Sequence, residues 1–320
     1  MVSHRASPGQ SVNALNHSSR LVYTLAMLTN YHTHCEFCDG KASARTMAQA
    51  ARQAGFKALG FSSHAPLPFR TGWAMDRERL PEYVETLRAL GREHAPVMDI
   101  LVGLEIDYIE GLCGPADGRF TEARLDYSIG SAHFVTPVGA PRVSATALDA
   151  AGVPTFGFAV DEPEGDFDAH LAAFYSGDGE ALVDDYYAAV AACVRAGGFD
   201  ILGHFDLIRK NNRGQTRFRE DSARYRAAAM TAVEALVGTD IIVEINTGGM
   251  ARGKTDSPYP APWILKELRS RNVSVCVNAD AHAPEHLIAF RDDGVRAAAK
   301  AGYRSLAAIG RAGRYEIPIE

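Results

Sequence analysis

Short apolar runs alternate along the chain with stretches of helical periodicity. The apolar runs cover 29–33, 58–62, 100–107, 127–133, 201–206, 241–246 and 273–279. Several are continuous rather than alternating, as in Ile241-Ile242-Val243 and Val275-Cys276-Val277. Strands read this way when helices cover both faces of a parallel sheet and neither face meets water. Between the runs, helical patterns occupy 43–54, 76–93, 180–196, 217–237, 260–271 and 291–301. Ser43 is placed to cap the first helix, and Gly55 to end it. This repetition predicts a parallel α/β fold, either a barrel or an open doubly wound sheet. No G-x-G-x-x-G follows the first strand and no P-loop is present, which disfavours the dinucleotide and nucleoside-triphosphate versions. Seven strands of these lengths fit a barrel-like arrangement.

Two stretches fall outside the rhythm. The first 27 residues are weakly patterned and read as a disordered or loosely docked N-terminal extension, not a signal peptide. Residues 28–320 read as one domain. Within it, 136–178 is rich in Gly, Pro, Ala and acidic residues and reads as an insertion, either a lid or a tolerated surface loop. No apolar run reaches the length of a membrane span.

Composition narrows the partners. Lys and Arg total 33 against 39 Asp and Glu, a net charge of −6, whereas phosphate backbones and anionic membranes select basic faces. No nucleic-acid or membrane partner is expected. Five cysteines at irregular spacing do not suggest a disulfide framework, so reduced thiols and a cytoplasmic setting are expected. Cys35 and Cys38 form a C-x-x-C, but no second pair completes a four-cysteine zinc site.

The histidines carry the chemistry. Of 11, six fall at or just past the C-terminal end of a predicted strand: His32, His34, His64, His133, His204 and His282. Glu105, Asp280 and Asp39 take equivalent places, with Glu36 a nearby competitor of Asp39. In parallel barrels those strand ends face one side and build the active site. Each histidine alone reads as well as a satisfied core residue. Their recurrence strand after strand points to a polynuclear metal site, and mixed nitrogen and oxygen ligands suit zinc, manganese or iron.

In their order, His32-Thr33-His34, Ser63-His64, Gly103-Leu104-Glu105, Gly130-Ser131-Ala132-His133, Gly203-His204 and Asp280-Ala281-His282 resemble the polymerase and histidinol phosphatase (PHP) superfamily. Ser63-His64-Ala65-Pro66-Leu67-Pro68, Glu244-Ile245-Asn246-Thr247-Gly248-Gly249 and the run from Gly203 to Lys210 resemble its histidinol-phosphatase branch. The resemblance implies a distorted, TIM-like (β/α)7 barrel and a trinuclear site. His32, His34, Glu105 and Asp280 would hold one ion. Glu105, His133 and His204 would hold a second, and Asp39, His64 and His282 a third. It further implies hydrolysis of L-histidinol phosphate to L-histidinol and phosphate, in histidine biosynthesis. Two adjacent ions can share a hydroxide that attacks phosphorus. Arg209 is the first candidate for a phosphate clamp because its planar fork pairs two oxygens, with Lys210 and Arg252 next. Asp206 is a candidate general acid or orienting group. Glu244 and Asn246 are expected to contact substrate or to brace a ligand. Asp161, Glu162, Glu164, Asp166 and Asp168 would offer an acidic lining for the amine and imidazole of that substrate. Another small phosphoester, or nucleic acid acted on by a PHP-type nuclease, is the alternative substrate.

Overall fold

The structure is a computed structural model that describes residues 27–137 and 157–319. The chain runs β1 (Leu28–Asn30), α1 (Ala44–Gln53), β2 (Phe56–Phe61), α2 (Leu80–His94), β3 (Asp99–Val102), β4 (Glu105–Asp107), α3 (Gly118–Glu122) and β5 (Ile129–Ser131). It continues with β6 (Phe134–Val135), β7 (Phe158–Ala159), α4 (Glu164–Tyr175), α5 (Gly179–Ala196), β8 (Ile201–Leu202), α6 (Ala223–Ala235) and β9 (Ile242–Asn246). It ends with α7 (Gly248–Ala251), α8 (Pro262–Ser270), β10 (Val275–Asn278), α9 (Arg291–Ala301) and the hairpin β11 (Ser305–Gly310) and β12 (Gly313–Pro318). Local chemistry explains the first helix. The Ser43 side chain accepts from the Thr46 amide, Gly55 follows the helix at φ +87, and Ala44, Met47, Ala48 and Ala51 form its buried stripe.

The strands form two parallel sheets, β1-β2-β3 and β4-β5-β8-β9-β10. β3 and β4 are halves of one strand, broken at Gly103-Leu104. Single parallel bridges join the sheets at both edges, His64 to Glu105 and Thr33 to Ala281. Between β1 and β10 two asparagines do what a ladder would otherwise do. The Tyr31 amide donates to Asn278 Oδ1 at 2.9 Å, and the Ala279 amide donates to Asn30 Oδ1 at 2.8 Å. Buried amides need such partners. The strands therefore follow one another in a ring of seven positions, held at its seams by bridges and side chains rather than by a continuous ladder. This is the distorted barrel that the sequence predicts.

Alternation along the strands sorts the side chains. Ala58, Leu101, Ile129, Ile201, Ile242 and Cys276 pack inside the ring with Tyr31 and Tyr127. A Cβ at Gly60 or Gly103 would lie 2.4 or 2.5 Å from the Tyr127 side chain, so these two glycines make room for it. The β11–β12 hairpin closes the N-terminal end of the ring with Ala307, Ala308, Ile309 and Ile317. Arg311 pairs with Asp99 and Arg314 with Asp200, both at strand N-terminal ends. Outside the ring, α1 and α2 cover β2 and β3, while α5, α6 and α8 cover the opposite side.

The structure adds detail to the sequence expectation at several points. Within the expected insertion, α4 buries Phe167, Leu171 and Tyr175, and β7 pairs antiparallel with β6. Residues 138–156 of that insertion, and 1–26 of the expected N-terminal extension, lie outside the described residues. The helix expected from 217 begins at Ala223, where Ser222 caps it. The hairpin is absent from the sequence expectation, although Tyr315, Ile317 and Ile319 alternate with polar residues and proline along and just past its second strand. Among the described residues, no helix is long and apolar enough to cross a membrane.

Candidate metal centre

The strand faces that carry Ile242 and Cys276 in the floor carry Glu244, Asn246, Asn278 and Asp280 two and four residues on. The polar layer therefore lies above the apolar one, toward the C-terminal strand ends. There the nine candidate ligands meet. Four overlapping groups of ligand atoms, each within 4.8 Å of one another, are His34-Asp39-His64-His282, His32-His34-Asp280, His32-Glu105-His204 and His64-Glu105-His133.

Glu105 sits at the centre and is 1% exposed. Its Oε2 lies 3.1 Å from His32 Nε2 and 3.0 Å from His64 Nδ1. Its Oε1 lies 2.8 Å from His204 Nε2 and 3.5 Å from His133 Nε2. Asp280 Oδ1 lies 3.4 Å from both His34 Nε2 and His282 Nδ1. Asp39 Oδ2 lies 3.4 Å from His282 Nε2. The competitor Glu36 is used elsewhere, accepting from the Ala44 amide at the start of α1.

This donor set fits cations. His32 Nε2, His34 Nε2 and His64 Nδ1 are buried, and the carboxylate oxygens 3.0 to 3.4 Å from them are not aligned for a hydrogen bond, an arrangement that costs free energy unless something ligates them. Burial, with His282 and His64 alongside, brings His34 down to about 3, so its ring keeps a lone pair free. Burial works to raise the Glu105 carboxyl, but His32, His64 and His133 hold it well below its ordinary value.

A surrounding set of groups aims the ligands. Both Glu244 oxygens lie within 3.0 Å of His32 Nδ1, which leaves Nε2 facing Glu105. Glu244 is fixed in turn by Asn246 Nδ2 at 2.7 Å, Asn278 Nδ2 at 2.9 Å and the His204 amide at 2.6 Å. Asp107 Oδ1 holds His133 Nδ1 at 2.7 Å, and Ser131 Oγ donates to Glu105 Oε1 at 2.7 Å. A Cβ on Gly203 would fall 2.4 Å from that Ser131 hydroxyl. Such braces fix ring orientation and raise ligand basicity. Asp280 adopts φ +50, uncommon for a residue with a side chain, and Arg252 Nη2 holds its Oδ2 at 2.7 Å.

The cluster opens into a cavity of about 560 Å³ whose lining includes Lys210, Arg252, Trp73, Asp161 and Glu162. Lys210 and Arg252, the further candidates for phosphate contact, are among its lining residues. Arg209, Asp206, Glu244 and Asn246 do not line it. Arg209 points away, donating to Glu220 at 2.9 Å and to Ser257 at 2.9 Å and pairing with Asp206. Asp206 is fully buried and accepts from the Ala261 amide at 2.8 Å. Arg209 and Asp206, expected at a phosphate and at a proton, are instead engaged with each other and with Glu220, Ser257 and the Ala261 amide beside the 3-10 turn Leu207–Asn211, where the Arg209 side chain is largely buried. Glu244 and Asn246 brace ligands instead of touching a ligand in the cavity. Of the five acids in the insertion, Asp161 and Glu162 reach the cavity, whereas Glu164 and Asp168 pair with Arg217. Sequence reasoning missed Asp107, Ser131 and Trp73. Asp107 was within reach, being two residues past Glu105 on the same strand face. Trp73, whose ring lies 4.6 Å from that of His64, sits in a loop without pattern.

A parallel α/β ring with a buried imidazole–carboxylate cluster at its C-terminal mouth defines the barrel metallohydrolase class. The family model of the PHP domain matches residues 30–248, and the chain belongs to that family. It is 31% identical to a Deinococcus radiodurans protein named "Probable histidinol-phosphatase", across 80% of this chain and 87% of that protein. It is 25% identical to the histidinol-phosphatase of Bacillus subtilis, across 78% and 92% respectively. Among solved structures, histidinol phosphate phosphatase from Lactococcus lactis, complexed with zinc, L-histidinol and phosphate, shares the fold with a TM-score of 0.62 at 18% identity. That likeness covers 90% of this chain and 98% of the other.

Proposed function

We propose that this protein is a metal-dependent histidinol-phosphatase that hydrolyses L-histidinol phosphate to L-histidinol and phosphate. The observation that carries the proposal is the nine-residue cluster, seven members of which line a cavity that also has cationic and acidic side chains on its walls. The named relatives point to the same substrate. Two to three divalent ions of zinc, manganese or iron, held by His32, His34, Asp39, His64, Glu105, His133, His204, Asp280 and His282, would neutralise the phosphoryl oxygens and activate water. The protein's own groups then have separate tasks. Glu105 lies between the two halves of the cluster, with one oxygen toward each. Glu244 and Asp107 hold His32 and His133 with the free ring nitrogen inward. Arg252 fixes Asp280 and, with Lys210, presents positive charge to the phosphate. Trp73 packs against the His64 and His133 rings and keeps water from that side. Burial opposes the charge on Asp161, but Lys210 and His133 hold its carboxyl down to about 2, so at neutral pH it accepts hydrogen bonds and does not donate a proton.

The test is phosphate release from L-histidinol phosphate by protein loaded with zinc or manganese, beside a chelated sample and a single-stranded DNA substrate. Metal-dependent release from the phosphomonoester with inert DNA is expected. Rapid DNA cleavage with inert L-histidinol phosphate would overturn the reading.

A further inference from the structure

Glu162 lines the cavity beside His64, His133 and His204 but belongs to none of the ligand groups. Its Oε1 lies 2.6 Å from Nδ1 of His170, in the middle of α4. The His170 ring packs 5.4 Å from Phe158, which also lines the cavity. The backbone around the pair is clamped. The Val160 amide donates to the carbonyl of His133 at 2.8 Å, Lys210 Nζ donates to the Asp161 carbonyl at 2.6 Å, and Asn211 Nδ2 donates to the Glu162 carbonyl at 2.9 Å. Glu162 therefore stands at a fixed place relative to a ligand histidine, on a wall with an aromatic surface beside it. Burial raises its carboxyl above the ordinary value, against the lowering effect of His170.

We infer that Glu162, oriented by His170, is the specificity-determining residue that takes the amine or imidazole end of the phosphate ester. This rests on the proposed phosphomonoesterase reading. A carboxylate accepts from an ammonium or a ring N–H, and a buried acceptor left without a donor penalises an ester that carries an alkyl end instead. Asp161 is the less suited neighbour, because a cation, Lys210, already pairs with its carboxylate, whereas His170 engages only Oε1 of Glu162.

The test compares two ratios of kcat/KM, L-histidinol phosphate over p-nitrophenyl phosphate and phosphoethanolamine over n-propyl phosphate, in the wild-type protein, Glu162→Gln and His170→Gln. Glu162→Gln should lower both ratios about tenfold or more, the factor that one charge-assisted hydrogen bond commands. His170→Gln should lower them in the same direction by less. Ratios that stay at the wild-type values in Glu162→Gln, whether the rates fall together or not at all, overturn the assignment. If the wild-type protein leaves L-histidinol phosphate untouched but cleaves the simple esters, the proposed substrate is wrong, and the amine–alkyl pair alone decides the role of Glu162.

Discussion

The floor and the mouth of the barrel are built from the same strands and obey opposite rules. At the floor, Ile242, Cys276, Ile201 and Leu101 meet the apolar hairpin, and burial stabilises every contact. Two and four residues further along the same strands, Glu244, Asn278 and Asp280 are as buried as their apolar neighbours. There burial is unfavourable until charge and hydrogen bonds offset it. The floor holds the ring together so that the mouth can keep carboxylates and imidazoles where an unsupported protein would not hold them.

The comparison can be broken first at the mouth. Glu105→Ala, or His133→Ala, should lower kcat by roughly a thousandfold or more while the protein stays folded, because removing a group from a metal site removes transition-state charge stabilisation. Turnover near the wild-type rate in either variant would end the assignment. At the floor, Ile242→Ala should cost about 2–5 kcal/mol of unfolding free energy and leave the kcat of the folded fraction in place, read by urea denaturation beside initial rates. A variant that is stable but inactive would mean the two layers are not separable. Next comes the bracing. Asp107→Asn should weaken metal affinity about 10–100-fold with little change in Tm of the metal-loaded protein, seen by titration against a competing chelator. The smallest effect concerns the cationic loop. Arg209→Lys should leave KM within about twofold, as a substitution outside the site does. Lys210→Met should raise KM by about tenfold, the loss of one charge-assisted contact.

The mouth was legible in the sequence because strand ends repeat. A histidine or carboxylate recurring just past each apolar run marks one side of a parallel barrel whichever strand is read, and this places His32 through His282 without knowledge of the loops between. The seam between β1 and β10 was not legible. Asn30 and Asn278 close it with side-chain amides, and nothing in the local pattern distinguishes such an asparagine from one in a turn. Arg209 shows the same limit at a loop: its distance in sequence from His204 was clear, but the 3-10 turn and the acceptors at Glu220 and Ser257 that draw it away are set by tertiary packing. Acidic composition made 157–178 read as loop, yet Phe167, Leu171 and Tyr175 at helical spacing were there to indicate α4.

The central claim is that the buried cluster at the barrel mouth is a metal site that hydrolyses a phosphate monoester. Elemental analysis and phosphate release measured on one preparation, before chelation, after it and after readdition of zinc or manganese, test it most directly. The account predicts two to three ions per chain, loss of turnover as they leave, and return of both together. Protein stripped of metal that still releases phosphate from L-histidinol phosphate at the full rate would contradict it.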